Sequence, residues 1–185
     1  MAQRPAISVY IVTSLDGFIA REDGSLDWLR TPERSLPGED FGYAAFMESV
    51  DALVIGRATY ETVLGFDHWP YADKRVMVLS SRTLPLPDDP VADVSIRSLS
   101  PEEAVQQLAE DGVRHVYLDG GRTIQGFLRA GLVDELILSR IPVLIGRGLP
   151  LFGELPADIS LHHLATKTFA NGLVQSRYRI DAPRP

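Results

Sequence analysis

Short runs of β-branched and aliphatic residues recur along the chain, divided by segments whose apolar residues fall three and four positions apart. Ile7–Thr13 (ISVYIVT) is the first such run and predicts a buried strand, closed by the turn-forming Ser14-Leu15-Asp16-Gly17. Residues 18–38 carry glycines, prolines, acids and a lone Trp28 with little periodicity, which predicts a long surface loop of the kind that is often functional. Tyr43, Phe46, Met47 and Val50 then stand at i, i+3, i+4 and i+7, one face of a helix over about Asp40–Ser49. Asp51–Ile55 predicts a strand that runs into Gly56 and a short helix, Ala58–Leu64, stopped by Gly65.

The second half repeats the design. Lys74–Leu79 predicts a strand leaving into Ser80-Ser81-Arg82, and Leu84–Val91 is a proline-broken connection. Ser100-Pro101-Glu102-Glu103 joins an S-x-x-E capping box to a proline at the first helical position, and Gly112 closes the helix that follows. Val113–Leu118 is a strand, Asp119-Gly120-Gly121 a tight junction and Thr123–Ala130 a helix ended by Gly131. Glu135–Leu144 makes another strand, residues 145–148 a turn, and strands near Ile159–Ala165 and Leu173–Ile180 finish the chain as an antiparallel pair. This alternation predicts one α/β domain over residues 1–185, a mostly parallel mixed sheet with helices on both faces.

Composition narrows the function classes. With 45% hydrophobic and 23% charged residues and no apolar run near the roughly 18 residues of a membrane span, a soluble protein is expected, with no membrane partner. The N-terminus shows no small-residue cleavage site, so a cytoplasmic location is the default expectation. The absence of cysteine excludes disulfides, thiolate nucleophiles and Cys-ligated metals. His68, His115, His162 and His163 show no i, i+4 pairing, so no metal site is expected. A net charge of −7 with scattered basic residues opposes nucleic-acid binding, although a few arginines in a cleft can still attract a phosphorylated ligand.

Three strand ends offer such a place, because ligands on parallel sheets bind beyond the carboxyl ends of strands. At Gly56-Arg57-Ala58-Thr59 the glycine either permits a simple turn or lets a phosphate approach the backbone N–H groups, the Thr59 hydroxyl and Arg57. Gly120-Gly121-Arg122-Thr123 offers the same choice, with room for a diphosphate. Ser80-Ser81-Arg82 is a polar loop or a site for the extra phosphate of NADP. Asp40 is a helix cap or, facing a cleft, a proton-delivering acid; Asp16 is most simply a turn residue, and Trp28 a loop anchor. The apolar stretch from Ile141 to Ile145 fits either a homodimer contact or core burial.

SLDGFIA at Ser14–Ala20, VIGRATYE at Val54–Glu61, VLSSR at Val78–Arg82, LDGGRTI at Leu118–Ile124 and DELILSRIPVLIGRG at Asp134–Gly148 together resemble the dihydrofolate reductase fold family. The likeness is greatest to its branch related to the reductase domain of bacterial riboflavin biosynthesis, the RibD C-terminal domain, in stand-alone form. The resemblance implies an eight-stranded mixed sheet and NADPH as cofactor. It implies that Val12 and Ile19 line the nicotinamide, that Gly56, Arg57, Ala58 and Thr59 with Leu118, Gly120, Gly121, Arg122, Thr123 and Ile124 hold the diphosphate, and that Leu79, Ser80, Ser81 and Arg82 hold the adenosine 2′-phosphate. Asp40, sixteen residues before Gly56, matches the substrate-binding acid of dihydrofolate reductases, Ser139 the hydroxyl that supports it, and Trp28 and Phe41 substrate-binding positions; Asp16 is a further catalytic candidate. After GRATYE the family's D-D-P-x-L-T-x-R type of segment is replaced by VLGFDHWPYADK. The activity implied is hydride transfer to a C=N or C=O carbon of a small substrate, of the ribosylaminopyrimidine phosphate type; dihydrofolate and an NADPH-binding protein without turnover are the alternatives.

Overall fold

Ile7, Val9 and Ile11 alternate along β1 (Ala6–Ser14) with Ser8, Tyr10 and Val12, so this strand turns different side chains to its two faces. In the computed structural model, which describes residues 3–29, 31–71, 73–89 and 91–181, β1 is central to an eight-stranded sheet. The order is β5 (Asp93–Arg97), β4 (Arg75–Leu79), β3 (Ala52–Gly56), β6 (His115–Asp119), β1, β7 (Glu135–Ile141), β10 (Val174–Ile180) and β9 (Leu161–Thr168). The first six run parallel, β10 is antiparallel to β7, and β9 is antiparallel to β10.

Helices cover both faces. Ile7, Val9 and Ile11 face α3 (Pro101–Glu110) and α4 (Gly121–Arg129), whose Leu108, Ile124 and Phe127 are fully buried among them. Tyr10, Leu53 and Ile55 face α1 (Tyr43–Ser49) and α2 (Arg57–Leu64) through Phe46, Tyr60 and Val63. Complete burial of such side chains contributes about 1.5–3 kcal/mol each, the main favourable term of the fold.

Two elements were not legible. Strand β5 was not predicted, because DVSIR sits at the sheet edge, half-buried, and lacks a strong apolar signature. The loop after β1 is also less irregular than expected: β2 (Phe18–Ala20) pairs antiparallel with β8 (Leu149–Pro150), and Pro32–Arg34 form a 3₁₀ turn. Ile141 is buried against Trp28, with Val143 and Ile145 partly buried beside it, whereas Leu144 of the same stretch is 70% exposed. No helix among the described residues is long and apolar enough to cross a membrane.

Candidate functional site

Strand β3 leads through α2 to β4 on one side, whereas β6, its neighbour, leads through α4 to β7 on the other. The carboxyl ends of β3 and β6 therefore part at a topological switch point, where open α/β sheets form their ligand crevices. Gly56 and Gly120 lie at these ends and are the N-caps of α2 and α4. Neither helix start receives a side-chain cap, in contrast to α3, where Ser100 and Glu103 form a complete capping box. The first amides of α2 and α4 are thus left for an anion.

The two turns interlock. A methyl group on Gly56 would strike Thr123 Oγ1, and one on Gly120 would lie 2.7 Å from Thr59 Oγ1. Each threonine sits over the other turn's glycine, so the cradle exists only because both positions lack a side chain. Gly120 also has φ of 98°, a conformation that L side chains rarely adopt. Ile19, carried by β2, reaches the same place: its Cδ1 would be 2.8 Å from a methyl group on Gly121.

Beside this pair, Leu79 lies in register with Gly56 at the end of β4. The Ser80 hydroxyl is used inside its own turn, accepting from Arg82 N (2.9 Å) and donating to Arg82 O (3.0 Å), while the Ser81 and Arg82 side chains are exposed. Arg97, which follows from the unpredicted β5, stands opposite Leu79, and its carbonyl accepts Ser80 N–H at 2.9 Å. Arg82, Arg97 and Arg122 have no acidic partner among the described residues, whereas Arg57 is turned along α2 to Glu61 at 2.9 Å. The Arg57 charge is thus partly offset by Glu61. Leu118 and Ile124 are fully buried, so their side chains support the cradle from the core and do not line it; Ala58 is exposed on the first turn of α2.

The substrate side needs larger corrections. Asp40 is exposed and accepts from Gly42 N (2.8 Å) and Ala44 N (2.9 Å), so it caps α1. Those bonds hold its carboxyl below the usual range, the opposite of what proton delivery requires. Ser139 is buried and accepts from Gln175 Nε2 at 3.0 Å; among the described residues it does not meet Asp40. Asp16 accepts from Ile145 N (3.2 Å) and Gly146 N (2.8 Å), tying the loop after β1 to the loop after β7, and a hydrogen bond from Ser14 is the first cause of its lowered pKa. It clasps the two loops together. Trp28, only 3% exposed, anchors its loop on Ile141 and Leu173, with Val12 and Phe41 packed beside it; its indole Nε1 finds no partner among the described residues.

Phe41 has φ of 59°, unusual for a bulky residue, and its neighbours over-determine that conformation. Its carbonyl accepts from Tyr10 Oη (2.8 Å) and Gln175 Nε2 (3.1 Å), and its N–H donates to Glu39 (2.8 Å). Asp40→Ala is expected to lower the thermal midpoint by about 2–4 °C, as loss of a helix cap does, and to leave NADPH affinity unchanged. A calorimetric scan with an unchanged midpoint would remove the capping role.

Sequence reasoning missed Asp119, the last residue of β6, whose signal was an acid ending an apolar strand just before the paired glycines. Its Oδ1 accepts from Gly120 N at 2.7 Å. Although its own surface is only half-buried, protein encloses the carboxyl closely enough that desolvation pushes its pKa up to about 6, with the Gly120 hydrogen bond opposing. Tyr43 and Tyr71 stand within reach of its charge: burial first, then Asp119, pushes Tyr43 up to about 12 and Tyr71 higher still.

A groove of about 370 Å³ runs along the other side of α1, lined by Tyr10, Phe41, Phe46, His115, Ile137 and Lys167 among others. It contains neither glycine turn, and its Glu135 is engaged by Arg177 at 2.6 Å. The crevice between β3 and β6, with its free amides and incompletely paired acid, is the candidate site.

Comparison with known proteins agrees with this fold. The uncharacterized protein YwjB of Bacillus subtilis is 36% identical over 173 residues, 92% of this chain and 95% of that one. A crystal structure from Shewanella sp. PV-4, whose assignment to riboflavin biosynthesis is itself provisional, superposes with a TM-score of 0.84 at 39% identity, covering 95% of this chain and 99% of that one. Dihydrofolate reductase from Enterococcus faecalis, with a TM-score of 0.65 at 19% identity over 95% of this chain and 96% of that one, shares the fold. Residues 5–175 match the RibD C-terminal domain, and the chain belongs to that family.

Proposed function

We propose that the protein is an NADPH-dependent reductase that adds a hydride to a C=N or C=O carbon of a small nitrogen heterocycle or its sugar amine, the type of reduction found in riboflavin synthesis. The observation that supports this reading best is the interlocked, uncapped pair of glycine turns at the β3–β6 switch point. Gly56–Thr59 and Gly120–Thr123 would hold the diphosphate. Arg82 and Arg97, on adjoining strand ends, would hold the 2′-phosphate, and Val12 and Ile19 would wall the nicotinamide ring. NADPH, when bound, supplies the hydride.

The remaining work belongs to the chain. As the carbon gains the hydride, the C=X π pair moves to the heteroatom, which needs a proton. Asp119, which holds its proton up to about pH 6, would give it. The dihydrofolate reading rests on Asp40 and Trp28; Asp40 accepts two backbone N–H groups at the start of α1, which favours the first reading over it.

Titrating the protein with NADPH and NADH by calorimetry tests the cofactor assignment. NADPH is expected to bind the more tightly, and Arg82→Ala to reduce its affinity roughly ten- to hundredfold while barely moving that of NADH, as loss of a charged hydrogen bond does. Absence of NADPH binding would sink the proposal.

A further inference from the structure

The groove on the far side of α1 contains none of the residues proposed to hold the cofactor or to deliver the proton. Its volume of about 370 Å³ lies within the range of small-molecule sites, about 300–1,000 Å³. One wall is aromatic: the Tyr10 and Phe46 ring centroids lie 4.9 Å apart, and His115 meets Phe46 edge-on at 6.3 Å. Ile137 and Ala165 add apolar lining. These walls are braced from behind. Tyr10 Oη donates to Phe41 O at 2.8 Å, and Gln175 Nε2 donates to Tyr10 Oη and to Ser139 Oγ, each at 3.0 Å. His115 gives Nδ1–H to Ser49 O at 2.8 Å and shares Nε2 with Ser8 Oγ at 2.8 Å. Side chains already fixed in this way lose little freedom when a ligand enters.

The rim formed by β9 and β10 is cationic. Lys167 lies opposite Gln175 in the ladder and Arg177 opposite Ala165, and all four line the groove. The two cations are therefore diagonal neighbours on one face, and the small alanine leaves the space between them open. Lys167 Nζ rests over the Phe169 ring, 4.4 Å from its centroid, which holds the ammonium in place. It makes no hydrogen bond or ion pair among the described residues; the Asp40 carboxylate, which feels its charge, accepts instead from Gly42 N and Ala44 N. Arg177 donates Nε–H to Glu135 Oε1 at 2.6 Å, and its Nη groups have no partner among the described residues. Glu135 is thus matched by Arg177, and Lys167 remains as an unmatched positive charge beside an aromatic wall.

We infer that this groove is a second binding site, taking a flat aromatic ring that bears a single carboxylate. The ring lies against Tyr10 and Phe46, and the carboxylate meets Lys167 Nζ and the Nη groups of Arg177. Apolar surface is removed from water on the aromatic side, while charge-assisted hydrogen bonds on the rim favour the anion over a neutral compound of the same shape. The inference goes beyond the reductase reading and does not depend on it.

The test titrates the full chain by calorimetry at about pH 7.5 with two probes of one shape, 2-naphthoate and the neutral 2-naphthamide, with and without NADPH. The carboxylate is expected to bind at one site per chain, at least about tenfold more tightly than the amide. Lys167→Gln should remove most of that difference. Ala165→Leu, which fills the space between the cations, should weaken 2-naphthoate by about tenfold or more with the melting midpoint unchanged. NADPH should leave the affinity for 2-naphthoate as it was, because the two sites share no residue. No binding of 2-naphthoate, equal binding of the two probes, displacement by NADPH, or affinity untouched by both substitutions overturns the inference. Failure of NADPH to bind while the probe preference persists overturns the reductase reading alone.

Discussion

Replacing Asp119 by Asn is expected to stabilise the protein above pH 7 while removing most of its turnover. The folded carboxyl keeps its proton up to about pH 6, whereas in the unfolded chain it is released near the ordinary 3.8. Between those values the native state binds more protons than the unfolded one, so stability falls as pH rises through the interval, and the deficit persists above it. The full interval corresponds to about 3 kcal/mol, an upper bound on what the amide recovers at pH 8. Below about pH 4 the two proteins should melt together. The amide can still accept from Gly120 N–H but cannot give up a proton as an acid does, so kcat should fall on the order of a hundredfold or more, with the decline of rate above pH 6 abolished. Melting curves of equal pH dependence in both proteins would show that Asp119 is not the strained acid of the crevice.

Alanine at Gly120 is expected to disable the cofactor site and destabilise the fold together. The new methyl must accept φ of 98° and lie 2.7 Å from Thr59 Oγ1, which combines the left-handed penalty with overpacking, about 2–4 kcal/mol in total. NADPH affinity should fall by about a hundredfold or more, since backbone approach at this turn is what the missing side chain permits. Gly56→Ala separates the two costs. Its φ of −86° suits alanine, and its penalty comes from Thr123 Oγ1 alone. Removing that hydroxyl in Gly56→Ala/Thr123→Ala should therefore recover stability, with a favourable coupling of about 1 kcal/mol in a double-mutant cycle. NADPH binding should stay weak in the double variant, because the methyl still fills the cradle. Additive effects of the two substitutions would argue against the interlock.

The alternation of strand and helix made the α/β architecture legible in the sequence, as did the Ser100–Glu103 capping box, whose bonds form as expected. The two glycine turns were legible too, because a glycine between an apolar strand and a helix is a local requirement. What escaped depends on distant neighbours. Strand β5 is fixed by pairing with β4 at an edge where its own side chains are only half-buried. Asp40 was overvalued on spacing, although its bonds to the amides of residues 42 and 44 are local and suit the cap reading. Asp119 was undervalued because its character comes from enclosure by the folded protein, which pushes its pKa up to about 6 and which no local pattern announces.

The position of β6 has a consequence for how the molecule is made. This strand, synthesised after β1, β3, β4 and β5, must insert between β1 and β3, pairing with both along their lengths. A chain emerging from the ribosome can bury much of its earlier half but must leave a slot, and non-local parallel pairing of this kind is slow. Gly56 faces Gly120 only after the slot is filled, so the crevice is among the last parts of the native state to form. A nucleotide spanning both turns would then act as a latch on the finished sheet, lengthening the folded lifetime far more than it hastens folding.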